Sequence, residues 1–184
     1  MNEITIAYLD KTMTYKHPES KKHEITWVLE PKEIIDNWRT SLQLTAYGFI
    51  PENIDFSELL YFNMVIHVAI IDVWQKCRTE YFAVMFDDVK FESFDEALDE
   101  CLYIIKNTNK KLVGLPPTEW EQTGYFNWLP WRFYFMKHDD FMPLSALHLW
   151  RKYHYPHFYI TQLAELFTPN DVQFLKAKWQ HQRT

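Results

Sequence analysis

Asn63, His67 and Arg78 fall on one stripe of a predicted helix, because spacings of four and eleven residues both close whole helical turns. Trp74 lies on the same side. Buried polar groups must find hydrogen-bond partners, so this stripe either closes an internal network or faces a cleft in which His67 titrates as a general acid or base. Asp72 sits on another face, which makes a His67–Asp72 dyad on one helix geometrically poor.

A second group is His138, Asp139, Asp140, His148, His154 and His157. Two histidines four apart on a helix would suit a metal ion. That spacing is missing here: His148 and His154 are six apart, about 240° around a helix, and Pro156 separates His154 from His157. A metal site from His138, Asp140, His148 and His154 would have to be assembled across elements, and no metal or other cofactor is expected. His67, His138 and Asp140 are the candidate acid, base or ligand groups of an enzymatic alternative.

The third group is acidic. Asp87, Asp88, Glu92, Asp95, Glu96, Asp99 and Glu100 stand against Lys90 alone. This window therefore carries −6, the net charge of the whole chain; of 25 acidic and 19 basic side chains, 18 of each remain outside it. Carboxylates in such a window stabilise a helix amino terminus and solvate its outer face. They could equally steer and dock a basic partner, or hold a divalent cation, although the spacing is no EF-hand loop.

The fourth group is aromatic: eight of the sixteen residues from Trp120 to Phe135, continuing through Phe141, Trp150, Tyr153, Tyr155, Phe158 and Tyr159. Such density builds a core or a recognition surface. Trp120, Trp128, Trp131, Arg132, Tyr153 and Tyr155 are the candidate contacts, being of the types that dominate protein interfaces. Stacking on nucleic-acid bases would require a basic groove that the composition does not supply. Glu119 and Glu121, flanking Trp120, are the carboxylate pair nearest an apolar environment, the setting that glycosidase chemistry needs.

Other chemistries find no purchase. The three glycines, Gly48, Gly114 and Gly124, are isolated, so neither the dinucleotide fingerprint nor the phosphate-cradling loop can be written. Ser93 caps a helix, Ser57 and Ser145 fall near helix starts, and no serine occupies a glycine-flanked elbow. Cys77 and Cys101, both in predicted helices, are expected as reduced thiols. The amino terminus lacks the pattern of a secretory signal, and the apolar run Met64 to Trp74, interrupted by His67 and Asp72, is too short to span a bilayer. A soluble cytoplasmic protein with no membrane partner is expected.

The elements that would position these groups are set by periodicity and caps. Alternation predicts strands around Ile4–Tyr8 and Ile25–Leu29, joined by the polar loop KHPESKKHE with mobile, solvated lysines. Helices are predicted from Pro31 towards Gly48, from Asp55 through Arg78, and from Phe94 to Asn107 behind the Ser93–Glu96 capping box. Glu80–Phe86 and Trp131–Met136 read as strands, Thr118–Gly124 as a short turn of helix, and Pro143–Tyr153 as a helix. Phe158–Phe167 is a further apolar run, and Thr168, Pro169 and Asp171 announce a final helix to about His181. The expected architecture is an α+β fold: a mainly helical single globular domain over residues 1–184 with a small antiparallel sheet. The expected function is an acidic protein-binding module for a protein partner, itself basic. By class analogy only, this suggests an inhibitor of the immunity or antitoxin type that blocks a toxin or nuclease.

Overall fold

The structure, a computed structural model, describes residues 3–9, 16–29, 58–118 and 126–181. The predicted helix from Pro31 towards Gly48, the helical turn ending at Gly124, Asp55, Ser57, Glu119, Trp120 and Glu121 lie outside the described residues.

Within them the chain runs β1 (Glu3–Leu9), β2 (Glu24–Leu29), α1 (Glu58–Lys76), β3 (Tyr81–Phe86), β4 (Val89–Phe91), α2 (Phe94–Asn107), β5 (Leu112–Gly114), β6 (Phe133–Lys137), α3 (Ala146–Tyr153), α4 (Phe158–Leu166), β7 (Val172–Phe174) and β8 (Trp179–His181). Six strands form one sheet in the order β2-β1-β3-β6-β5-β7, and β4 pairs with β8 in a separate antiparallel ribbon. β1 pairs in parallel with both β2 and β3, β6 is antiparallel to β3 and β5, and β5 is parallel to β7. Five strands therefore point one way and β6 alone opposes them. This overturns the expected mainly helical α+β domain with a small antiparallel sheet: the protein is an α/β fold around a mixed, mostly parallel central sheet.

Helices cover both sheet faces, and the strand side chains sort accordingly. Leu9, Phe82, Val84, Phe86, Tyr134 and Met136 share one apolar cluster with α1, α3 and α4. Ile4, Ile6, Tyr81, Ala83, Phe133 and Phe135 share the other with α2. A strand buried on both faces needs apolar residues at every position rather than at alternate ones. β3, YFAVMF, is buried throughout, as is β6 up to Lys137. Full burial of each such Phe, Ile or Leu contributes about 1.5–3 kcal/mol.

α2 has the boundaries its capping box predicts, with Ser93 Oγ accepting the Glu96 N–H at 3.3 Å. The final helix does not form. Thr168 and Asp171 make a reciprocal cap, but on a single 3-10 turn, Pro169–Asp171, which leads into β7. β5 is set by a close approach at Gly114, where a Cβ would lie 2.2 Å from the Phe133 carbonyl oxygen and 2.4 Å from Pro130 Cβ. Among the described residues no helix is long and apolar enough to cross a membrane.

Candidate functional site

α2 lies on the sheet with Phe94, Ala97, Leu98, Cys101, Leu102, Ile104 and Ile105 inward. At about 100° per residue, the opposite face carries Glu96, Asp99, Glu100, Tyr103, Lys106 and Asn107. Tyr103 sits at its centre with 67% of its surface exposed. Asp99 and Glu100 precede it by one turn, close enough to share a contact surface with it.

The carboxylates on the flanks of this face are already bonded within the chain. Asp95 accepts hydrogen bonds from Ser20 Oγ and from the Lys21 N–H, the latter at 3.0 Å. Asp99 takes His23 Nε2 at 2.7 Å and Lys22 Nζ at 3.3 Å. The loop expected to be mobile is thus a strap tied across α2, although Lys21 and Lys22 remain exposed as expected. The Ser20 hydroxyl is the main cause holding Asp95 below the usual carboxylate range. For Asp99, burial is the largest influence and acts upward, but the bonds from His23 and Lys22 together bring it below its ordinary value. On the far flank Glu100 accepts the N–H groups of Lys176 and Ala177 at 2.7 and 3.0 Å, fixing the segment that leads into β8. Glu92 and Glu96 are exposed to solvent.

Asp88 stands apart, at the edge where β1 and β3 end and β6 begins. Phe86 N–H donates to the Arg132 carbonyl and Asp87 N–H to the Leu9 carbonyl across this edge. Asp88 Oδ2 receives Arg132 Nε at 3.4 Å and His181 Nε2 at 3.0 Å. Its Oδ1 is buried without a hydrogen-bond partner. Sequence reasoning assigned Asp88 and Arg132 to separate surfaces and missed His181, since only the pairing of β4 with β8 brings it there.

The histidine candidates do not converge. His67 is 1% exposed; its Nε2–H donates to the Leu144 carbonyl at 2.8 Å, and burial pushes its pKa down to about 4. Gln162 closes the same region, accepting the Leu144 N–H and donating to the Met142 carbonyl. Asn63 is also buried, whereas Arg78 is exposed and bonds the Gln75 and Cys77 carbonyls. His138 instead stacks on Trp74 at 4.8 Å, with its Nε2–H on the Trp74 carbonyl and the Trp74 Nε1–H on its own carbonyl. His67 and Trp74 are seven residues apart, about 10 Å along the axis of α1, so His67 and His138 serve separate joints. His138 and Asp140 occupy a 3-10 turn at the amino-terminal edge of the parallel strands, where the His138 N–H meets the Glu80 carbonyl. Ligand sites of α/β sheets lie at the carboxyl ends. Among the described residues no group of three or more His, Cys, Asp or Glu could hold a metal ion.

The aromatic candidates are largely packed. Trp131 is 5% exposed, with its Nε1–H on the Phe126 carbonyl. Trp128, Tyr153 and Tyr155 are half-buried against the α1–α3–α4 core, and Phe126 contacts both tyrosines. Tyr153 donates to Glu165 at 2.9 Å; burial first, and that carboxylate second, push its pKa up to about 12. Both cysteines are free and buried, with the Cys101 thiol pushed up by its apolar surroundings.

The fold and site together define an α/β domain whose α2 presents an outer face with carboxylates in its first turns, an exposed tyrosine and a lysine in its last turn. No family model matches the chain, and no curated protein does either.

Proposed function

We propose that this chain is a non-catalytic protein-binding domain that docks a basic protein partner on the outer face of α2. The observation that carries the reading is Tyr103, a large aromatic left 67% exposed one turn beyond Asp99 and Glu100 and one turn before Lys106. Tyrosine supplies contact area with few rotatable bonds and is among the residue types that anchor interface hot spots. The carboxylates guide a cationic partner and set its orientation, raising association rate more than affinity. Against a basic enzyme such as a toxin or nuclease, the same face would act by occlusion, its carboxylates standing where phosphates bind. In this reading the described aromatic candidates Trp128, Trp131, Tyr153 and Tyr155 support the core rather than the contact.

The test is affinity capture with the tagged chain and with Tyr103→Ala. Recovery of one basic protein in near-equal amount by the wild type, reduced about tenfold or more by the substitution, is the expected result. Equal recovery by both would reject the Tyr103 surface.

A small-ligand or enzymatic reading is favoured by one observation, the partnerless Asp88 Oδ1 beside Arg132 and His181 at the carboxyl edge of the sheet. A ligand there would shift the His181 ring resonances on binding; the α2 reading leaves them still.

A further inference from the structure

β4 and β8 stand apart from the six-stranded sheet, and among the described residues each has only the other as a strand partner. Their register fixes which backbone groups are left over. The Glu92 N–H donates to the Lys178 carbonyl at 2.9 Å, so Glu92 and Lys178 are a hydrogen-bonded pair of the antiparallel ladder, as are Lys90 and Gln180 two residues along. Phe91 and Trp179, the pair between them, therefore turn their N–H and C=O groups away from each other, towards the two outer edges. Such an edge is a template for a further strand. Phe91 is buried and Trp179 only half-buried, so the β8 edge is the more open of the two. Along the ribbon lies a hollow of about 710 Å³, lined by Lys90, Phe91, Glu92, Lys178, Trp179 and Gln180, within the size range of ligand sites. Trp179 packs towards the core on one face of the ribbon, and the alternate residues Lys178 and Gln180 are exposed on the other. Neither lysine forms an ion pair among the described residues, and the two outweigh Glu92, leaving the hollow net positive.

From this open edge and its charge we infer that the ribbon docks an extended acidic peptide of a partner protein, which adds to β8 as a third strand through main-chain hydrogen bonds. The side chains of the added strand alternate. An apolar one packs beside Trp179, and its acidic neighbours face Lys178, with Lys90 one strand further in. Glu100 supports the site by holding the Lys176 and Ala177 N–H groups, which fixes the chain that enters β8. The inference stands apart from the α2 reading, because it concerns main-chain groups of β8 and takes a ligand of the opposite charge.

The experiment titrates the full chain, at neutral pH and low salt, into fluorescein-labelled octapeptides followed by anisotropy. The probe alternates valine with glutamate, and the control alternates valine with lysine. The glutamate peptide should bind about tenfold more tightly or better than the lysine peptide, and Lys178→Glu should reverse the preference. Two further probes carry N-methyl groups on all valines or on all glutamates, each removing the donors along one edge only. One of these should bind and the other fail. In the complex the Trp179 amide should exchange about tenfold more slowly, while the Gln180 amide, already in the ladder with Lys90, changes little. Both methylated probes binding, both failing, or an unchanged Trp179 amide would overturn strand addition. No binding by the glutamate peptide, or equal binding by the lysine peptide, would overturn the site altogether.

Discussion

His67 is neutral in the folded protein because burial outweighs the bond to Leu144, and this ties stability to pH. Its folded pKa, about 4, lies below the ordinary 6.5. The unfolded chain therefore takes up a proton between pH 6.5 and 4 that the folded chain refuses, and the stability due to neutral His67 is complete above pH 6.5 and lost as pH falls towards 4. The loss amounts to about 3 kcal/mol over that window. Urea unfolding at pH 7 and pH 5 should show it, and His67→Gln should flatten the difference while lowering stability at both. Gly114 makes a second prediction at this scale. The atom facing its missing Cβ is the Phe133 backbone oxygen, which cannot step aside. Gly114→Ala should lower stability by about 3 kcal/mol or block folding, read as a fall in Tm.

α2 is the element on which both the fold and the proposed interface depend. Its amino terminus is capped by Ser93, and Ser93→Ala should cost about 1 kcal/mol, measured by denaturant unfolding. Glu100 connects α2 to the ribbon strand β8 through two N–H bonds. Glu100→Ala should accelerate amide exchange at Lys176 and Ala177 while leaving the β1–β3 pairing protected; equal protection in both proteins would show that the β4–β8 backbone pairing holds this segment without Glu100. Sequence patterning is legible at this level where a signal is local. The Ser93–Glu96 box and the apolar stripe of α2 are both readable within fourteen residues. The Thr168–Asp171 cap is equally readable, but a cap specifies only the first turn of a helix and not its length, so the expected helix ends after one turn.

At the scale of the whole molecule, the sequence window Asp87–Glu100 carries −6, and its exposed members Glu92 and Glu96 contribute a directed field at the start of α2. Association with a basic partner should slow by about tenfold or more between 0.01 and 0.15 M salt, as the screening length falls from about 30 to about 8 Å. Glu92→Lys/Glu96→Lys alters exposed side chains only. It should reduce the association rate and its salt slope, as stopped-flow mixing would read, and cost about 0.3–1 kcal/mol of stability by placing a cation in the first turn of α2. A rate that ignores both salt and substitution would place the contact elsewhere.

Composition and periodicity by themselves determined the apolar content for a sizeable core, the length and cap of α2, and the exclusion of glycine-rich phosphate loops; that His67 is buried rather than facing a cleft was decided by the tertiary structure. Strands β1, β2, β3 and β6 were legible too, but not their assembly into one mixed, mostly parallel sheet, and β4, β5, β7 and β8 have three residues each, too few to carry a period. Strand direction is set by partners such as Ile4 and Tyr81, seventy-seven residues apart, through backbone bonds that no local pattern encodes. The same distance governs the site. Asp95 and Asp99 look like free charge in sequence; tertiary structure lays Ser20–His23 across them and leaves Tyr103 to the solvent, because an apolar stripe that turns α2 towards the sheet must turn the residue opposite it outward.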